Sequence, residues 1–89
     1  DREYVKRRRA RKLGSGGMHT HEDFLALCRA TDWRCWYCDK TAVLTEDHLL
    51  PLTRGGSDQI TNVVPACRGC NGRKGTQTAQ EFLAVRGAA

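Results

Sequence analysis

The sequence predicts a small α+β domain in which flanking helices pack on a stapled pair of short strands. Three observations carry that prediction. Two C-x-x-C pairs, Cys35/Cys38 and Cys67/Cys70, bracket residues 39 to 66. Inside that insert, two short β-prone runs flank a loop marked by Pro51, Gly55, Gly56 and Ser57. Outside it, apolar residues recur at helical spacing behind Thr20 and Thr78. At 89 residues the chain is one domain with two each of Trp, Tyr and Phe, so its core alone gives stability on the order of a few kcal/mol. A staple is therefore expected. Five cysteines, four of them in paired knuckles, favour a zinc ion over a disulfide framework of secreted type. No apolar run reaches the ~20 residues of a membrane span, and no signal-peptide pattern is present, so the expected setting is soluble and reducing.

Taken in order, residues 1–17 read as a basic arm ending in the hinge Gly14-Ser15-Gly16-Gly17, and residues 18–89 as the folded domain. Of fifteen basic and ten acidic residues, seven and two fall in Asp1 to Lys12, which leaves eight of each elsewhere. The whole net charge of +5 thus sits in the arm, on Lys6, Arg7, Arg8, Arg9, Arg11 and Lys12. A polyanion is the natural partner of such a run. A chain that starts at Asp1 reads as a piece of a longer protein. Thr20 to Ala30 is the first expected helix, with Thr20 and Asp23 as a capping pair and Phe24, Leu25, Leu27 and Cys28 on one face. Cys28 is expected as a small buried hydrophobe, and His19 and His21 as surface or capping residues.

Arg34 to Cys38 forms the first knuckle, with Trp36 and Tyr37 expected over the metal site. Val43 to Thr45 suggests a strand leading into Glu46, Asp47 and His48, and Leu49 to Ile60 a long loop. A second strand is expected at about Asn62 to Pro65, then a helix over Cys67 to Lys74 stopped at Gly75. Thr78 and Glu81 form a capping box that opens the last helix, with Phe82, Leu83 and Val85 as its apolar contacts.

Cys35, Cys38, Cys67 and Cys70 offer four thiolates, a closed tetrahedral shell with no position left for water, so this zinc is expected to be structural. The insert between the knuckles is longer than the ~15–20 residues of a simple zinc ribbon. It contains Asp47, His48 and Asn62. Neighbours on a strand face opposite ways, so Asp47 and His48 divide their work, one toward a metal and the other toward water. The carboxylate of Asp47 and the amide oxygen of Asn71 are hard donors suited to Mg2+ or Mn2+.

The stretch from Asp47, D-H-L-L-P-L, then G-G, then N-V-V-P-A-C-R-G-C-N-G-R-K-G, resembles the HNH endonuclease family, and the likeness extends over roughly His19 to Lys74. The resemblance implies a ββα-metal (His-Me finger) core stapled by four cysteines. It implies hydrolysis of DNA, double-stranded by expectation, to 5′-phosphate and 3′-hydroxyl ends, by nicking or double-strand cleavage. His48 resembles the general base and Asn62 the middle asparagine that fixes the loop and helps orient it. Asp47 and Asn71 resemble the ligands of the catalytic ion, although relatives often have histidine at the latter position and some place another where Gly75 stands. Arg54, Arg73 and Lys74 are candidates for contacts to the DNA backbone. Base readout is expected from an additional domain or partner, and the setting from the cytoplasm of a bacterial or phage-infected cell, in phage or restriction use. The alternative is a non-catalytic, zinc-stabilised module that only binds nucleic acid.

Overall fold

The computed structural model describes residues 17–88. The basic arm, with its run Lys6 to Lys12, lies outside the described residues. Thr20 opens helix α1 (His21–Ala30) with a reciprocal capping box, its hydroxyl accepting from the Asp23 amide while Asp23 accepts from the Thr20 amide. That arrangement satisfies two of the amide donors a helix start leaves unpaired. Strand β1 (Leu44–His48) pairs antiparallel with β2 (Val63–Cys67), from Leu44 opposite Cys67 to His48 opposite Val63. Cys67 ends β2 and caps helix α2 (Arg68–Lys74), its sulfur accepting from the Cys70 amide. Helix α3 (Ala79–Ala88) starts at the Thr78/Glu81 capping box. The result is a β-β-α unit with a helix on either flank.

Strand β2 is the centre of the core because alternate residues serve opposite faces. Val64 and Ala66 pack with Cys35, Tyr37, Cys70, Ala79 and Phe82, whereas Val63 meets Phe24 and Cys28 of α1. Cys28 is buried, as expected, and burial pushes its thiol up. Several expectations are corrected here. Val43 is 82 % exposed and lies before β1, and β2 runs from Val63 to Cys67 while Asn62 belongs to a 3-10 turn, Ile60–Asn62. Among the described side chains of α3, Ala79 and Phe82 are buried, while Leu83 and Val85 are exposed. The helix lies along the core edge, held by its first turn and, further along, by Arg86, which donates to the Tyr37 carbonyl at 2.8 Å.

The connection between the strands is fixed at several points. Gly55 has φ +91°, a left-handed conformation disfavoured for a side chain. A Cβ on Gly56 would stand 1.8 Å from the Leu50 carbonyl oxygen, so only glycine allows this approach of the loop to itself. Arg54 reaches from the same loop to Glu81 at 2.7 Å, and this contact, with the Thr78 amide, holds the Glu81 carboxyl down at about 2. A carboxyl lowered in the folded state stabilises the fold above its unfolded pKa and loses that contribution as pH falls. The Glu81 contribution is accordingly present above about pH 4.5 and vanishes on acidification toward about 2.

Candidate metal centre and cleft

The two knuckles meet because β2 delivers Cys67 and Cys70 beside the turn carrying Cys35 and Cys38. Asp39, at φ 63°, reverses the first knuckle, the Cys35 amide bonds to the Lys40 carbonyl, and the Trp36 amide docks on Pro65 of β2 at 2.8 Å. All four sulfurs lie within 4.8 Å of one another. The Cys38 to Cys67 separation is 3.9 Å, close to the edge of about 3.8 Å that a tetrahedron with Zn–S ~2.3 Å requires. The four thiols are unpaired by disulfides, and their spacing and chemistry fit zinc. Burial raises the Cys35 thiol, but amide donors of Cys67, Cys38 and Tyr37 outweigh it and bring the group to about 6. Cys70, buried among the other sulfurs, is pushed up to about 12. Arg73 directs its guanidinium to the Cys70 sulfur at 3.4 Å.

Beside this centre, β1 displays its residues on two sides. Asp47 is buried and accepts from the Tyr37 hydroxyl and, at 3.2 Å, from the Lys74 ammonium. Burial, then the Asp47 charge, raises the Tyr37 hydroxyl, which stays a neutral donor. Asn71 donates through Nδ2 to the Thr45 hydroxyl and the Glu46 carbonyl. Two acceptors fix which end of the amide is nitrogen, so its Oδ1 points away from β1. A cleft of about 270 Å³ is lined by Asp47, His48, Asn71 and Lys74 together with Leu52 and Thr53.

His48 turns to different partners from Asp47. Its Nε2 lies 2.7 Å from Asp58 Oδ1. Asn62 closes the loop, accepting from the Leu50 amide and donating to the Leu50 and Ser57 carbonyls. The structure therefore gathers Asp47, His48 and Asn71 at one cleft, while Asn62 braces the loop between the strands.

Two expected roles change. Lys74 is only 2 % exposed and donates to Asp47 and to the His48 carbonyl, so it faces the cleft interior and not a surface-tracking phosphate backbone. Its helix presses it against β1, where Asp47 offsets the cost of its burial. His19 is buried too, with Nδ1 at 2.7 Å from the Asp58 carbonyl and Nε2 at 3.1 Å from Glu46, which corrects the surface or capping role read for it. Arg54 and Arg73 remain exposed, engaged with Glu81 and Cys70. Tyr37, expected over the metal site, packs in one cluster with Cys35 and Cys70 and edge-on to Phe82, whereas Trp36 is half exposed.

Sequence reasoning missed Asp58, Glu46 and the hydroxyl of Tyr37 as neighbours of the site. Asp58 had one available signal, an acid in a Gly-rich loop that must return to the end of β1. No helix among the described residues is long and apolar enough to cross a membrane. No curated protein matches the chain. A family model described as HNH endonuclease matches residues 35–84, more than half of the chain.

Proposed function

The chain belongs to the HNH endonuclease family, and from that premise we propose a metal-dependent endonuclease that hydrolyses DNA phosphodiester bonds to 5′-phosphate and 3′-hydroxyl ends. The single observation that carries this reading is the contact of His48, which lines the cleft, with the buried Asp58 through Nε2. A carboxylate only accepts, so Nε2 carries a hydrogen, and in the neutral ring Nδ1 keeps its lone pair. Nδ1 is then the atom that takes the proton of the attacking water. Asn62 holds the loop that supplies Asp58.

The cleft's donors fit a hard divalent cation. Asp47 and Asn71 would hold Mg2+ or Mn2+ through oxygen. Each Asp47 oxygen already accepts one bond, and each has a second lone pair. Such an ion supplies positive charge to the phosphoryl group and the leaving oxygen. Lys74 places a positive charge at the same carboxylate, which makes ion binding weak until DNA phosphate adds negative charge. The four-cysteine centre serves as a structural zinc site.

The Asp47–Lys74 pair also favours a second reading, a non-catalytic zinc-stabilised module that binds nucleic acid, since a carboxylate neutralised by lysine needs no ion. Supercoiled plasmid incubated with Mg2+, Mn2+ or chelator decides between them. Relaxed or linear product that depends on the ion supports the nuclease. Retained DNA binding with intact plasmid under every ion supports the module.

The basic arm, Lys6 to Lys12, is proposed to supply sequence-independent affinity for double-stranded DNA, with Arg54 and Arg73 as exposed candidates on the domain itself. Removing residues 1–13 is expected to weaken binding and to flatten the slope of log K against log salt by about 0.9 for each phosphate that the arm neutralises. An unchanged slope would take the arm out of the interface. Specificity is assigned to a further domain or partner, and the setting to phage or restriction use in the cytoplasm.

A further inference from the structure

We propose that Asp58 is a positioning residue that fixes the tautomer and the direction of the His48 ring, and that His19 and Glu46 lock Asp58 in place for that task. The inference rests on the endonuclease reading, in which His48 is the base. Asp58 is only 4 % exposed, yet its carboxylate faces two imidazoles. Oδ1 lies 2.7 Å from His48 Nε2 and 3.5 Å from His19 Nδ1. His19 Nδ1 stands closer, at 2.7 Å, to the main-chain oxygen of the same aspartate. That oxygen only accepts, so Nδ1–H donates and pins the backbone of Asp58. The other His19 nitrogen lies 3.1 Å from Glu46 Oε1, a contact that a proton between the two satisfies. Glu46 stands two residues before His48 on β1, hence on the same side of the strand.

These contacts close a loop of side chains from Glu46 through His19 and Asp58 to His48. The chain segment entering it is held as well. Asn62 binds the Ser57 carbonyl at 2.8 Å, and Gly56 lies too close to Leu50 for any side chain. Three consecutive residues, Gly56, Ser57 and Asp58, are thus fixed by independent contacts. Buried acid–imidazole contacts give little net stability, because desolvation offsets their attraction. They do define direction. A His48 ring without Asp58 would turn about its own bonds and exchange its hydrogen between nitrogens, so Nδ1 would offer a lone pair only part of the time.

A loop staple with no other role would also show this geometry, and it is separated by a readout of the ring itself. Nitrogen-15 NMR of the full chain, with histidine labelled and His48 assigned by its loss in His48→Ala, is expected to find the hydrogen on Nε2. In Asp58→Asn the hydrogen should distribute over both nitrogens. The same variant should cleave with kcat lowered about 10-fold or more and KM for DNA unchanged. A wild-type ring carrying its hydrogen on Nδ1 would overturn the proposal. So would a folded Asp58→Asn protein with wild-type kcat. Should that variant fail to fold, the wild-type tautomer decides alone. Wild-type protein that cleaves no DNA would sink the endonuclease reading, whereas the NMR measurement would still report whether Asp58 holds His48.

Discussion

His48→Ala is expected to lose at least ~100-fold in cleavage rate, the lower end of what general-base catalysis contributes, while zinc content and DNA affinity stay. The imidazole nitrogen left without a hydrogen is the atom read as taking the water proton, and alanine removes it outright. The cost to the fold should be modest. His48 is partly exposed, and the Asp58 carboxylate it leaves behind still has His19 at 3.5 Å. Leaving a buried acceptor short of one partner costs about 1–3 kcal/mol. The companion substitution must be chosen with more care. Asp47→Ala would strand the Lys74 ammonium, itself nearly inaccessible, at about 3–5 kcal/mol. That is a large share of the roughly 5–15 kcal/mol that holds a domain, so a fall in activity would report unfolding. Asp47→Asn keeps the shape and an acceptor oxygen. It should weaken Mn2+ binding by calorimetric titration, with extra Mn2+ restoring part of the activity. Equal loss of ion affinity in the two variants would contradict the division of work, and full cleavage by His48→Ala would overturn the mechanism.

What the sequence disclosed about this site follows from how local each feature is. A C-x-x-C knuckle is built from four successive residues, so its geometry travels with its spelling, and both knuckles meet as expected. The divergence of Asp47 and His48 follows from strand alternation alone. Capping at Thr20 and Thr78 is equally local. Asp58 and His19 are 39 residues apart and meet only because the loop folds back over β1. Nothing in the spelling of either neighbourhood marks that encounter. Lys74 misled for a related reason. A lysine in the last turn of a helix suits the helix dipole and ordinarily stays in water, and only its approach to Asp47 across the β-β-α unit makes burial tolerable. Leu83 and Val85 show the opposite limit, since helical spacing identifies apolar positions but not whether anything covers them.

Stripping the metal from the Cys35, Cys38, Cys67 and Cys70 centre should unfold the domain, and one zinc per chain should restore it. The core is small. Its main cluster takes in every ligand position, Cys35 and Cys70 buried and Cys38 and Cys67 at its edge, alongside Tyr37, Val64, Ala66, Ala79 and Phe82. Without an ion, four sulfurs within 4.8 Å of one another leave polarisable, ionisable groups where a core needs closure. Apparent zinc binding in small four-ligand sites is ~10–16 kcal/mol at neutral pH. A domain's whole stability is about 5–15 kcal/mol, so zinc bound here would contribute as much as the entire net stability. The cleft depends on it as well, because the knuckle bearing Tyr37 reaches Asp47, and β2 reaches α2 through Cys67. Cys70→Ser, at a position with no exposure, should therefore abolish zinc binding and cooperative unfolding together. Metal analysis alongside near- and far-UV circular dichroism, before and after a strong chelator under reducing conditions, makes the comparison. A metal-free chain that keeps its near-UV signal and a sharp thermal transition would show that the hydrophobic contacts suffice. Mass spectrometry finding disulfides between these cysteines in the active protein would replace the zinc staple with a covalent one.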